Sequence, residues 1–196
     1  MLKPRLFRLL NISSVLIIIA TFLGWKLLGD RNNWTAVSGE APPPAEAWIV
    51  TKVSDGDTIT VRQTDGQEMK VRLGCIDAPE IKHGQTPGQL LGEESKKNLR
   101  RLVDEAGSEV MVSVIDTDRY GRKVAEVFTS VKGGEKSLNE EQLTSGMAYF
   151  YKKYSNCPNR EVFQRAEQIA IANRVGVWSQ SGLEMPWDYR RRIREN

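Results

Sequence analysis

Three short stretches of the chain combine acidic and basic side chains suited to phosphoryl chemistry. They are Asp55-Gly56-Asp57-Thr58, then Asp77-Ala78-Pro79-Glu80 with Arg72 five residues ahead of it, then Asp118-Arg119-Tyr120-Gly121-Arg122. Asp57 and Asp77 offer hard carboxylate oxygens, the ligand type that Ca²⁺ or Mg²⁺ takes. Pro79 biases Ala78 towards an extended conformation, which would turn the Ala78 carbonyl towards the same ion while Glu80 reaches over it. Arg72 and Arg122 each carry the planar fork that binds a phosphate bidentately.

Each stretch also has a plainer reading. Asp-Gly-Asp is what a hairpin turn demands whatever the function, and Asp77 to Glu80 could be a loop start with solvated acids. A strand arginine facing solvent is ordinary. Residues 116–121 begin like an EF-hand calcium loop, but Val127 stands where the bidentate glutamate is needed. They are better read as a turn, stabilised by Asp118, that sets Tyr120 and Arg122 beside a groove.

The elements that must position these residues follow from periodicity. Residues 47–53 and 58–62 read as a hairpin around the Asp-Gly-Asp turn, and residues 67–75 continue the meander with Met69, Val71 and Leu73 on one face. Residues 77–89 hold prolines and glycines without period and form a loop. A helix runs from about 87 to 106 and ends on Gly107, a residue suited to a left-handed cap. Strands follow at 109–115 and 123–129. Ser137 with Glu140 makes a capping box for a short helix to about 145, and a longer helix covers about 160–173. The expected fold is α+β: a five-stranded OB-fold barrel with three α-helices, preceded by an N-terminal hydrophobic helix.

Composition allows one domain plus a flank: 196 residues, 40% hydrophobic and 27% charged. The net charge of +3 falls to about +1 without the first 46 residues, so charge alone does not mark a polyanion binder. Lys3, Arg5 and Arg8 precede an apolar run, the layout of a signal peptide or an uncleaved anchor over residues 1–29. A proline-rich linker occupies 30–46, the domain 47–180 and a basic tail 181–196, the tail's arginines being either solvated or a dock for a polyanion. The domain is expected outside the cytoplasm, membrane-anchored or secreted according to whether the segment is cleaved. In that compartment Cys75 and Cys157 can pair or remain two buried thiols.

Taken together, Asp55-Gly56-Asp57-Thr58, Arg72 through Glu80, Asp118 through Arg122, and Gly176-Val177-Trp178-Ser179 resemble the staphylococcal nuclease (thermonuclease) family over residues 47–180. The resemblance implies an endonuclease that hydrolyses phosphodiester bonds of DNA and RNA with low sequence specificity. It implies one Ca²⁺ on Asp57, Asp77 and the Ala78 carbonyl, phosphate held by Arg72 and Arg122, and Glu80 taking a proton from the attacking water or ordering it. Tyr120, Tyr149 and Tyr151 match positions that line the nucleotide pocket, although Tyr149 and Tyr151 read equally as packing aromatics. Single strands are the expected preferred substrate, and nothing points to a protein partner. The alternative is a non-catalytic OB-fold module that binds nucleic acid while tethered to the membrane.

Overall fold

The computed structural model describes residues 46–131 and 134–195. The segment 1–29 expected as signal or anchor, and all of the expected linker except Glu46, lie outside them. Among the described residues no helix is long and apolar enough to cross a membrane.

Strand β1 (Glu46–Val53) buries Trp48, Val50 and Val53. The change of phase after Val50 follows a bulge in its pairing with β2 (Thr58–Arg62), which turns Val53 rather than Lys52 inward. Strand β3 (Glu68–Leu73) pairs antiparallel with β2, placing Arg72 opposite Thr58. Strands β5 (Glu109–Thr117) and β6 (Lys123–Val131) extend the other side, with β7 (Gly134–Ser137) at the edge.

A parallel pairing between β3 and β6, with Arg72 opposite Val124, closes five strands into a mixed barrel. The closed barrel is the expected OB architecture. Ile59, Val61, Val71, Leu73, Ala125 and Val127 fill it, and Leu99, Leu102 and Val103 of helix α1 (Gly92–Glu105) cover one end.

Helix α1 begins at Gly92 rather than near residue 87, because Leu91 adopts a left-handed conformation (φ 68°) that no helix can extend through. Gly107 is left-handed just after its end, as expected (φ 66°). Helix α2 (Leu138–Thr144) is capped by Ser137, whose hydroxyl accepts the Glu140 N–H at 3.3 Å. Its buried Asn139 ties it to the barrel seam, donating to the Gly74 and Ala125 carbonyls and accepting from the Val127 N–H.

Two short strands, β4 (Ile76–Asp77) and β8 (Tyr149–Phe150), pair outside the barrel, and helix α3 (Arg160–Asn173) packs beside them. The described residues hold four helices rather than three. The fourth, α4 (Pro186–Glu195), occupies what reads in the sequence as a basic tail.

Candidate active site

Arg72 stands at the centre of a cluster of buried charges. Its Nη1 donates to Asp57 Oδ1 at 2.9 Å and its Nη2 to Asp77 Oδ1 at 2.6 Å, so one guanidinium joins a carboxylate of the β1–β2 turn to one at the end of β4. Asp57 is 3% exposed and Asp77 is fully buried. Burial works against the arginine's charge, but the two carboxylates outweigh it and raise its pKa. Removing one member of such a cluster leaves a buried charge uncompensated, at a cost of about 3–5 kcal/mol.

The turn that carries Asp57 is fixed from several sides. Asp55 Oδ1 accepts the Asp57 N–H at 3.0 Å, and Gln142 of α2 donates to the Gly56 carbonyl at 2.6 Å. Position 56 must be glycine, since a Cβ there would collide with the Ser95 hydroxyl and the Ala78 methyl. Asp57 Oδ1 also accepts from the Thr58 hydroxyl, and its Oδ2 accepts the Ala78 N–H at 2.9 Å. Burial, and then the charge of Asp57, push the neighbouring Asp55 carboxyl up to about 7.

Glu80 is positioned by Gln89. The Glu80 N–H donates to Gln89 Oε1 at 3.0 Å, and the Gln89 N–H donates to the Glu80 carbonyl at 2.8 Å. Gln89 Nε2 then reaches the Glu184 carbonyl at 2.7 Å. A Cβ at Gly92 would collide with the Glu80 carbonyl, so the first residue of α1 lets the loop lie directly on the helix.

Arg122 faces the same groove from the turn just before β6, oriented by Asp118 of that turn. Tyr120 is 68% exposed beside it. The groove encloses about 560 Å³ and is lined by Asp57, Arg72, Glu80, Tyr120, Arg122 and Tyr151, among others.

Tyr149 stands apart from this set. It is 3% exposed, with its ring edge-on to Trp178 and Trp187, and burial, then the Glu167 charge, push its hydroxyl up to about 12. Packed against these rings, it does not line the groove. Cys75, immediately before β4, is disulfide-bonded to Cys157, with Cα atoms 5.8 Å apart.

Arg190 of α4 is the member that the sequence did not reveal. Its Nη2 donates to Asp77 Oδ2 at 2.5 Å, and its Nη1 to Asp77 Oδ1 at 3.0 Å and Glu80 Oε1 at 2.6 Å. It is therefore not part of a solvated basic end. The available signal was the spacing of Tyr189 and Ile193 after Pro186, one apolar stripe on a short helix.

Among the described residues no three His, Cys, Asp or Glu side chains converge as a ready metal centre. The donor chemistry nonetheless suits a hard cation, since Asp57, Asp77 and Glu80 present only oxygen. A cationic group already sits on two of them, in the form of the Arg190 guanidinium.

The site is thus an OB barrel with carboxylates and arginines gathered at one groove. Residues 70–180 match the family described as staphylococcal nuclease homologue. The chain is 35% identical over 147 residues to a protein named an uncharacterized endonuclease from Haemophilus influenzae, covering 75% of this chain and 74% of that one. It is 33% identical over 195 residues to protein ParB of Escherichia coli, covering 97% and 95%. It is 33% identical over 147 residues to the micrococcal nuclease of Shigella flexneri, covering 72% and 79%. The chain belongs to the staphylococcal nuclease family.

Proposed function

We propose that the protein is a calcium-dependent endonuclease hydrolysing phosphodiester bonds of DNA and RNA with low sequence specificity. The observation that carries this reading is the groove lined by Asp57, Arg72, Glu80 and Arg122, with Arg72 also paired to the buried Asp77 carboxylate. Asp57, Asp77 and the Ala78 carbonyl would hold the ion. When bound it supplies positive charge beside the reacting phosphate.

The chain's own residues account for the remaining chemistry. Arg72 and Arg122 bind phosphate oxygens and stabilise the charge that builds on them, a contribution that grows in a water-poor groove. Glu80 accepts a hydrogen bond from the attacking water and takes its proton or orders it. Water adds to phosphorus, one P–O ester bond breaks, and the leaving oxygen is protonated from solvent.

No base edge needs reading in such a site, which is why low specificity follows. Tyr120 and Tyr151 offer ring faces to unstacked bases, favouring single strands. A second groove of about 290 Å³ continues along α4, lined by Arg119, Lys153, Trp187, Arg191 and Arg194, and extends the path for a phosphate backbone.

In the same reading residues 1–29 act as signal or anchor, 30–46 as linker and 47–180 as the nuclease domain outside the cytoplasm. A disulfide suits that compartment. N-terminal sequencing of the protein isolated from cells distinguishes anchored from secreted forms. Incubation with denatured DNA, duplex DNA and RNA in Ca²⁺ tests the activity. Cleavage of all three with denatured DNA fastest supports the reading, and binding without product would replace it with a tethered binding module.

A further inference from the structure

Helix α4 lies outside the barrel, yet it is pinned on both sides of Arg190. Tyr189 is 6% exposed and donates its hydroxyl to the Pro87 carbonyl. Trp187 packs on the rings of Tyr149 and Tyr151, and Arg192 pairs with Glu184 at 2.9 and 2.7 Å. The helix therefore delivers Arg190 to a defined place.

That place is the carboxylate pair itself. Asp77 Oδ1 accepts from both Arg72 and Arg190, and Oδ2 accepts from Arg190. Glu80 Oε1 accepts from the same Arg190 Nη1. Arg72 is held by two buried acids and is 19% exposed, whereas Arg190 is 33% exposed and has solvent to move into. A cation that approaches Asp77 must take oxygen atoms that Arg190 now holds.

We propose that Arg190 is a positioning residue of the cation site. It acts as a tethered counter-charge that holds Asp77 and Glu80 together in the ion's absence, yields to a divalent ion, and thereby sets that ion's affinity. The inference rests on the calcium reading above. At similar distance a divalent ion attracts a carboxylate about twice as strongly as a guanidinium does, so it displaces Arg190 where a monovalent ion does not. The exchange involves no covalent step.

Calorimetric titration of the full chain with Ca²⁺ alone, together with melting curves in EGTA and in Ca²⁺, tests it. Arg190→Met is expected to bind Ca²⁺ with a roughly tenfold lower Kd than the wild type, because no tethered cation competes. In EGTA the same variant melts lower than the wild type, and Ca²⁺ raises its midpoint by more than it raises the wild type's. Arg190→Lys, which keeps the charge but loses the fork, falls between them and shows that a folded variant responds in proportion. Equal Kd and equal calcium-induced shifts in wild type and Arg190→Met would overturn the inference while leaving the calcium reading intact. No calcium binding by either protein would remove that reading, and the inference with it.

Discussion

Arg122 donates its Nε to Asp118 Oδ2 at 2.7 Å, and its backbone N–H donates to Oδ1 of the same carboxylate at 2.9 Å. The residue expected to face phosphate is thus aimed by its own turn. Asp118→Ala should lower the cleavage rate by roughly 10 to 100-fold with little change in melting temperature, since the pair is partly solvated and its work is orientation. Burial alone would raise the Asp118 carboxyl, but the Arg122 side chain and the Arg122 and Tyr120 N–H groups outweigh it and hold it below the usual range. A depressed carboxylate keeps its contribution above the unfolded pKa and loses it as pH falls through the lower folded value. Single-turnover rates together with melting curves check the prediction.

Gly92 lets α1 touch the backbone of Glu80, and Gly92→Ala places a methyl against that carbonyl. Overpacking of this kind costs about 1–3 kcal/mol. The loop carrying Glu80 has to move, so the variant should lose cleavage rate as well as stability. A stable, fully active Gly92→Ala protein would show that Glu80 is not held in this way.

Glu167 is 5% exposed, accepts the Phe150 N–H at 2.9 Å, and has its carboxyl pushed up by burial. The folded state therefore binds more protons than the unfolded chain in the window above the ordinary carboxylate pKa. Stability falls as pH rises from that value through the raised one. Glu167→Gln keeps an oxygen for the Phe150 N–H and should flatten this part of the curve. Its loss should also lower the titration of Tyr149, which the Glu167 charge helps to raise. Thermal midpoints between pH 4 and pH 8, roughly bracketing the carboxylate window, test the first effect, and tyrosine absorbance at high pH the second.

The Cys75–Cys157 bond closes a long loop and fastens the segment after β8 to the chain beside Asp77. Reduction, or Cys157→Ser, should cost about 2–4 kcal/mol, chiefly by freeing the unfolded chain. Denaturant curves with and without reductant measure it. Alkylation before and after reduction, read by mass, should label the cysteines only after reduction.

The site was legible in the sequence where it is local. Asp57 lies in a turn motif, Asp77 and Glu80 share four residues, and Arg72 stands five residues before Asp77, so short-range spacing carried most of the constellation. Barrel closure was legible from five alternating segments broken by one helix. Arg190 was not, because it meets Asp77 across 113 residues and is one of four arginines in a run whose helix is held by contacts distant in sequence, with Pro87, Tyr149 and Tyr151. Tyr149 and Tyr151 are equivalent as residue types. Tertiary packing against Trp178 and Trp187 buries the first, while the second lines the groove. The start of α1 was misplaced for a related reason: Leu91 takes a left-handed φ that the sequence does not mark.

Arg72 carries a double burden for the same geometric reason. It joins Asp57 to Asp77, so its removal would leave the buried Asp57 carboxylate without its cation and Asp77 with Arg190 alone, and loss of rate in Arg72→Ala would be entangled with loss of fold. Glu80 is the cleaner probe. The most direct measurement is the initial rate of cleavage of denatured DNA by wild type and Glu80→Gln, each in Ca²⁺ and in EGTA. The wild type should cleave in Ca²⁺ and not in EGTA, and Glu80→Gln in Ca²⁺ should be at least about 100-fold slower. Equal cleavage in Ca²⁺ and EGTA, or binding without cleavage under every condition, would overturn the calcium-dependent nuclease reading.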